Sequence, residues 1–515
     1  MIATNVRRLA RYLVLAFAAL WLGLGWWQVL EAPRLAARPD NPEVIAARRS
    51  ALRGTIFDAD GQVLASSVVI DGISRRTYGD PAFGHVVGYA SLRYGTTGVE
   101  QAWDDLLTGR SDPNPLTDLV NDILDRDPQP RDLTLTIDRR LQDFAAAQLG
   151  TGVGAVVAID PSTGAILAMV STPTFDATGF SGDPTAAEAA WLALADVPNH
   201  PLLDRTRRGH YTPGSVLKIL TAAAALDSGV ITPQTTYPDQ PAQETDGFVV
   251  SGFTIREHPL GEVAPALWPL SPALQVSSNI FFAHVGLDLG EGRFLDYARR
   301  FGFCAPLRIG SAERFLAVDA SYVSGRTDDG CASFIDRVEL ANAAYGQART
   351  EVTPTQMALL AATVANGGLM PSPFVVRDVR VHAGDPLAGP DGRVLESYAG
   401  DLRRVIGSEA AADLRTAMVD AVHGELGRRY AGAGAVTLYG ISGVLTAGKT
   451  GTAERGGGLA PHAWFIGFAP AQDGATPAIA IAVIVEGGLS GSVGAAPIGG
   501  AVMAEWLRLL GSGAG

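Results

Sequence analysis

From Tyr12 to Leu30 the chain carries 19 consecutive uncharged residues, just after Arg7, Arg8 and Arg11. A helix of that length covers about 30 Å, the hydrocarbon thickness of a bilayer, so the stretch commits everything behind it to one side of a membrane. Arginines ahead of the run predict a cytoplasmic amino end, and Trp26 and Trp27 fall where an outer interfacial belt holds aromatics. A cleaved signal peptide shares the charged start, but Glu31-Ala32-Pro33-Arg34 offers no small-x-small site and the apolar run is long for one. A single uncleaved anchor is expected, with the rest of the chain outside the cytoplasm. No second run of this length follows.

Behind the anchor, Glu31 to Asp40 is rich in Pro and Ala and reads as a linker. Residues 41–130 show short apolar runs such as Val63 to Ala65 between Gly and Asp turns. The expected divisions are 1–37 for the cytoplasmic end, anchor and linker, 38–130 for a small pedestal domain, and 131–515 for a larger domain. Within the last, Leu133 to Ile137 alternates like a strand and Leu141 to Leu149 has helical character. Ala155 to Ile159 and Ala165 to Ser171 flank the turn Pro161-Ser162-Thr163-Gly164 as a hairpin. From Ser215 to about Gly432 the pattern is largely helical. Strand patterns return at Ala463 to Ala469 and Ile479 to Val485, and Ile498 to Leu510 closes as a helix. Strands at both ends with helices between them predict one antiparallel sheet of distant segments, an α+β architecture.

A chain of 515 residues exceeds one ordinary core. Its net charge of −13 argues against nucleic acid as a partner, because phosphate neutralisation needs a basic surface. Cys304 and Cys331 are the only cysteines. Outside the cytoplasm they can oxidise, and their spacing permits a disulfide but fits two buried thiols equally. Neither has a Cys-x-x-Cys or histidine companion, so no metal is expected, and no cofactor is called for.

Lysine occurs only twice, at Lys218 and Lys449; every other basic residue is arginine. Arginine keeps its proton near neutral pH, whereas a desolvated lysine can release one. Each lysine sits in a short pattern. Ser215-Val216-Leu217-Lys218 begins a segment that favours helix, so Ser215 falls at or near a helix N-terminus, where free N–H groups favour oxyanion charge. Lys218 lies one turn on, in reach of the hydroxyl as its base. Lys449-Thr450-Gly451-Thr452 reads as a strand. Period-two alternation puts Thr450 and Thr452 on one face, suited to a carboxylate, and Gly451 is read as room for a substrate backbone. Between the two, Ser277-Ser278-Asn279 offers Ser277 as a proton relay and Asn279 as a holder of Lys218 or a substrate amide. Taken singly, each pattern more often marks a helix cap, an edge strand or a chance turn.

Together and in this order they form the set assigned to penicillin-binding proteins and β-lactamases, with Ser-Ser-Asn in place of Ser-Asp-Asn. The chain resembles a class B penicillin-binding protein, the monofunctional, membrane-anchored peptidoglycan D,D-transpeptidase. The resemblance extends to Arg53-Gly54-Thr55-Ile56-Phe57-Asp58 with Gly61 and Leu64-Ala65, and to His85, Gly88-Tyr89, Gly98 and Glu100. It continues through Asp160 to Ala165 with Met169, Thr353 to Met357, Ala365-Asn366-Gly367-Gly368 and Ala495-Ala496-Pro497. One departure is Gly346-Gln347-Ala348, where the family often has Gly-Gln-Gly; another is a pedestal that looks short for the class.

What the resemblance implies is a five-stranded antiparallel sheet flanked by helices, with an inserted all-helical subdomain, behind a pedestal and one transmembrane helix. It implies a two-step acyl transfer on D-Ala-D-Ala stem peptides: Ser215 forms the acyl-enzyme, the N–H groups of Ser215 and Thr452 make the oxyanion hole, and Lys449, Thr450 and Thr452 hold the terminal carboxylate. β-Lactams would acylate the same serine. A hydrolase is the nearest rival, either a D,D-carboxypeptidase or a β-lactamase, but no Glu-x-x-Leu-Asn segment is found to activate water. A non-catalytic β-lactam-binding scaffold is the second rival, and retention of both lysines argues against it. The roughly 90 residues ahead of the larger domain cannot hold a glycosyltransferase module, so by resemblance glycan polymerisation falls to a polytopic SEDS-family partner.

Overall fold

The computed structural model describes residues 2–31, 52–70, 73–110, 129–181, 183–258, 264–382, 392–431 and 443–512. Beyond Glu31, the expected linker lies outside these residues. The chain divides into two compact units, residues 1–52 with 67–75, and residues 53–66 with 76–515. In the first, helix α1 (Ile2–Gly25) continues into a π-helical turn at Trp26–Glu31. Thr4–Gln28 is long and apolar enough to cross a membrane. Leu13, Phe17 and Trp21 are exposed along it, an arrangement suited to lipid rather than water.

A six-stranded sheet combines β1 (Ile56–Phe57), β2 (Val63–Ile70), β3 (Ile73–Tyr78), β4 (Arg131–Leu135), β9 (Val376–Val381) and β10 (Val394–Ser397) in the order β10-β9-β4-β1-β2-β3. The β1–β4 pair is parallel and β4–β9 antiparallel. Gly54 is bare because a Cβ there would fall 1.8 Å from the Arg131 carbonyl oxygen. Behind it, the fully buried Glu100 carboxylate is shared by Arg53 (2.8 Å) and Arg76 (2.6 Å), so its charge is paired where water cannot reach it. The pedestal sheet therefore runs across the boundary expected near residue 131 and recruits strands from beyond residue 370.

The larger domain is built on a five-stranded antiparallel sheet of β5 (Gly154–Ile159), β6 (Ile166–Thr172), β11 (Ala447–Ala453), β12 (His462–Ala469) and β13 (Ile479–Val485), ordered β11-β12-β13-β5-β6. Both faces are covered, which is why Ile-Ala-Ile-Ala-Val-Ile-Val in β13 is apolar throughout rather than alternating. Val156, Ala158, Ile481 and Val483 point into one core with helices α2 (Arg139–Leu149) and α8 (Ala496–Ser512). Val157, Ile159, Ala482 and Ile484 point into the other, against α6 (Pro354–Ala365), whose twelve residues are all buried. The helical run Gly491–Ser512, which ends in α8, also meets the length and composition of a membrane span, but it packs Val502, Met503 and Leu509 into the core.

The stretch from Ser215 to Gly432 is less helical than its composition suggests. Helices α3 (Lys218–Asp227), α4 (Leu270–Gln275), α5 (Asn279–Arg300), α6 and α7 (Ser408–His423) alternate with short hairpins, among them β7 (Phe248–Val250) with β8 (Phe253–Ile255) and Leu307–Gly310 with Phe315–Val318. Strands of three or four residues carry too little periodicity to stand out from their surroundings. Cys304 and Cys331 are joined as a disulfide that ties the residues just after α5 to a further short hairpin, Arg326–Thr327 with Gly330–Cys331.

Candidate active site

Ser215 lies in a tight 3₁₀ turn, Gly214–Leu217, that runs directly into α3. The turn is held from three sides. The Gly214 N–H donates to the Gly346 carbonyl (3.0 Å), Tyr211 pairs with Val352, and the Trp464 indole donates to the Thr212 carbonyl (3.0 Å). Gly214 has φ +57°, and a Cβ on it would lie 2.8 Å from the Thr452 carbonyl oxygen, so the serine turn rests against edge strand β11. This contact revises the reading of Gly451. A Cβ there would meet the Pro213 carbonyl at 2.8 Å and Val216 at 3.2 Å; the glycine seats the protein's own serine turn, and the space is not open to a substrate.

The five residues expected to act together meet in one hydrogen-bonded cluster. Lys218 Nζ is 3.0 Å from Ser215 Oγ, 2.6 Å from the Ser277 carbonyl oxygen, 2.9 Å from Asn279 Oδ1 and 3.3 Å from Ser277 Oγ. Lys449 Nζ lies 2.8 Å from Ser277 Oγ and 3.0 Å from its neighbour's carbonyl, that of Thr450. Both lysines are fully buried. Ser277 sits in the turn between α4 and α5 with φ +59°, a conformation uncommon outside glycine. That turn presents both its carbonyl and its hydroxyl to the lysines. Thr450 is buried and Thr452 exposed, with Thr452 Oγ1 accepting from the Gly491 N–H at 3.3 Å.

Burial lowers the Lys218 pKa to about 7, against an opposing pull from Glu257. Lys449 is also pushed far down, by burial and then by the charge of Lys218. A neutral amine has two N–H donors and one lone pair. At Lys218 the Ser277 carbonyl and Asn279 Oδ1 can only accept, so they take the two N–H groups and the lone pair is left facing the Ser215 hydroxyl. Such an arrangement can abstract the serine proton. Two contributors escaped the sequence reading: Trp464, a core-like aromatic in a strand, and Glu257, a single acidic residue after a three-residue strand. Neither stands in a spacing pattern.

A profile of the penicillin binding protein transpeptidase domain matches residues 154–504, and one of the penicillin binding protein A dimerisation domain matches residues 53–133. The chain belongs to the penicillin-binding protein transpeptidase family. Among its family relatives, peptidoglycan D,D-transpeptidase PbpA of Mycolicibacterium smegmatis is 35% identical over 98% of this chain and 99% of that protein. Peptidoglycan D,D-transpeptidase MrdA of Acinetobacter baumannii is 29% identical over 82% of this chain and 65% of that protein. Solved penicillin-binding protein A of M. tuberculosis, as an imipenem acyl-enzyme complex, superposes with a TM-score of 0.75 at 32% identity, covering 90% of this chain and all of that one. Its ceftriaxone acyl-enzyme complex gives 0.74 at 33% identity, over 89% of this chain and 98% of that one.

Proposed function

We propose that the protein is a peptidoglycan D,D-transpeptidase that cross-links stem peptides through an ester on Ser215 and is acylated by β-lactams at the same oxygen. The observation that carries the reading is Lys218: a buried amine with a pKa of about 7, 3.0 Å from the serine, with both N–H groups occupied by carbonyl-type oxygens. Ser215 Oγ attacks the carbonyl carbon of the penultimate D-Ala while Lys218 takes its proton. The N–H groups of Ser215 and Thr452 stabilise the oxyanion. Ser277, bridging the two lysines, relays that proton from Lys218 to the departing D-Ala amine as the peptide bond breaks, which leaves Lys218 neutral again. An amine from a second stem peptide then attacks the ester, Lys218 accepts its proton, and Ser215 is released with its hydrogen restored. Lys449, Thr450 and Thr452 hold the terminal carboxylate.

In class A β-lactamases a glutamate activates the hydrolytic water. Glu257 is the carboxylate that bears on Lys218, and its two oxygens are already occupied by donors from Ser278, Asn279 and Ile280. This argues against Glu257 serving as a base of that kind. The chain's arrangement as anchor, pedestal and transpeptidase domain, with a cytoplasmic amino end and with the pedestal sheet completed by β4, β9 and β10, completes the proposal. The anchor and pedestal are the surfaces through which it meets a SEDS-family glycosyltransferase. The test is the lifetime of the penicilloyl-enzyme formed with a fluorescent penicillin: wild type labels with persistence over many minutes and Ser215→Ala does not label. Turnover within seconds would make the protein a hydrolase.

A further inference from the structure

Glu257 follows β8 and is almost completely buried, with 4% of its side chain exposed. Its Oε1 accepts from the Asn279 N–H at 2.8 Å, and its Oε2 accepts from Ser278 Oγ at 2.8 Å and the Ile280 N–H at 3.3 Å. His258 Nδ1 lies 3.2 Å from Oε1. Burying a carboxylate is costly unless donors and positive charge surround it. Here the first turn of α5 supplies free N–H groups and the positive end of its dipole. Burial acts to raise the Glu257 pKa, and His258, the charge of Lys218 and the Asn279 N–H together hold it below the usual range.

Capping α5 would be a sufficient purpose if its first turn lacked a cap, but Ser278 already provides one, accepting from the Phe281 N–H at 3.1 Å. The residues that Glu257 grips form the turn whose Ser277 carbonyl and Asn279 Oδ1 orient Lys218. The charged and polar groups around Lys218 are Glu257 from the segment after β8, Lys449, the Ser215 hydroxyl, the Ser277 carbonyl and hydroxyl, and Asn279 at the start of α5, with the Phe282 ring 5.7 Å away. Glu257 in turn bears on Glu244 and Tyr345. As Lys218 takes the serine proton it becomes an ammonium beside Lys449, and Glu257 is the negative charge that faces it.

We propose that Glu257 is a positioning residue for acyl transfer: it clamps the Ser278-Asn279-Ile280 turn so that the Lys218 lone pair stays aimed at Ser215, and its charge stabilises the Lys218 ammonium formed as the serine attacks. Its relation to the lysine is that of the buried aspartate to the histidine in a serine protease triad, acting through orientation and charge without receiving the proton. The proposal rests on the transpeptidase reading of the site.

The experiment measures the second-order rate of acylation by a fluorescent penicillin from pH 5 to 9 in the full-length protein and its Glu257→Gln and Glu257→Asp variants. Wild-type protein that does not label refutes the transpeptidase reading itself. Given labelling, E257Q is expected to lower the plateau about 10- to 100-fold. It should also move the acid limb to lower pH by at least about half a unit, because removing a negative charge lowers the pKa of a nearby amine. E257D keeps the charge, so it should keep the wild-type midpoint and recover part of the rate. An E257Q midpoint equal to wild type overturns the proposal whatever the plateau. So does loss of folding in both variants, which would make Glu257 a structural cap, and so does an E257Q defect confined to release of the penicilloyl group, which would make it a base for hydrolysis.

Discussion

Acylation should follow the protonation of Lys218, and the pH dependence can be worked from its surroundings. Burial brings the amine from an ordinary value of 10.5 to about 7. At 1.36 kcal/mol per pH unit that is about 5 kcal/mol of preference for the uncharged form. Only the neutral amine can accept the serine proton, so about half is competent at pH 7, about one tenth at pH 6 and about one hundredth at pH 5. The second-order rate of labelling should therefore climb about tenfold per unit through the acid range and level off above about pH 8. Lys218→Arg keeps a positive charge that cannot be surrendered, and it should lower the plateau by about 10²- to 10⁴-fold, the usual contribution of a general base. Since Lys218 is fully buried, circular dichroism and a thermal melt accompany the kinetics, with Lys218→Met as an uncharged comparison of similar length. A labelling rate constant within twofold from pH 6 to 8, or an arginine variant within tenfold of wild type, would refute the general-base assignment.

Two further perturbations test local packing. Gly451→Ala puts a methyl 2.8 Å from the Pro213 carbonyl; thermal unfolding should reveal a loss of about 1–3 kcal/mol as the serine turn is pushed off β11, and labelling should slow with it, whereas a wild-type melting temperature would mean the space is open. Ala348 is exposed with φ +65°, so Ala348→Gly should relieve backbone strain and raise the denaturation midpoint by the equivalent of up to about 1 kcal/mol.

The sequence disclosed chemistry more readily than packing. Ser215, Lys218, Ser277, Asn279 and Lys449 stand in patterns with fixed internal spacing, and the chain's avoidance of lysine elsewhere made two of them conspicuous. Four strands of the five-stranded sheet were legible because they are apolar and bounded by turns, whereas β11, Ala-Gly-Lys-Thr-Gly-Thr-Ala, was legible through its motif. Gly451 was misread because the atom that fills its side-chain space, the Pro213 carbonyl, belongs to a turn far away in the sequence. Glu257 was passed over because its importance comes wholly from meeting the start of α5, and nothing in Arg256-Glu257-His258 announces that meeting. The departure at Gly346-Gln347-Ala348 is accommodated by leaving Ala348 in a left-handed conformation, a cost invisible without backbone angles.

The six-stranded sheet has a consequence for how the molecule is made. β1 lies beside β4, and β4 in turn lies beside β9, whose residues 376–381 are synthesised only after the nucleophile and two of the three motifs have left the ribosome. The amino-terminal strands must wait, with one edge uncovered, for a segment from the far side of the catalytic domain. A truncation after residue 130 would strand them permanently, and the pedestal and the enzyme are for this reason a single object to any quality-control protease.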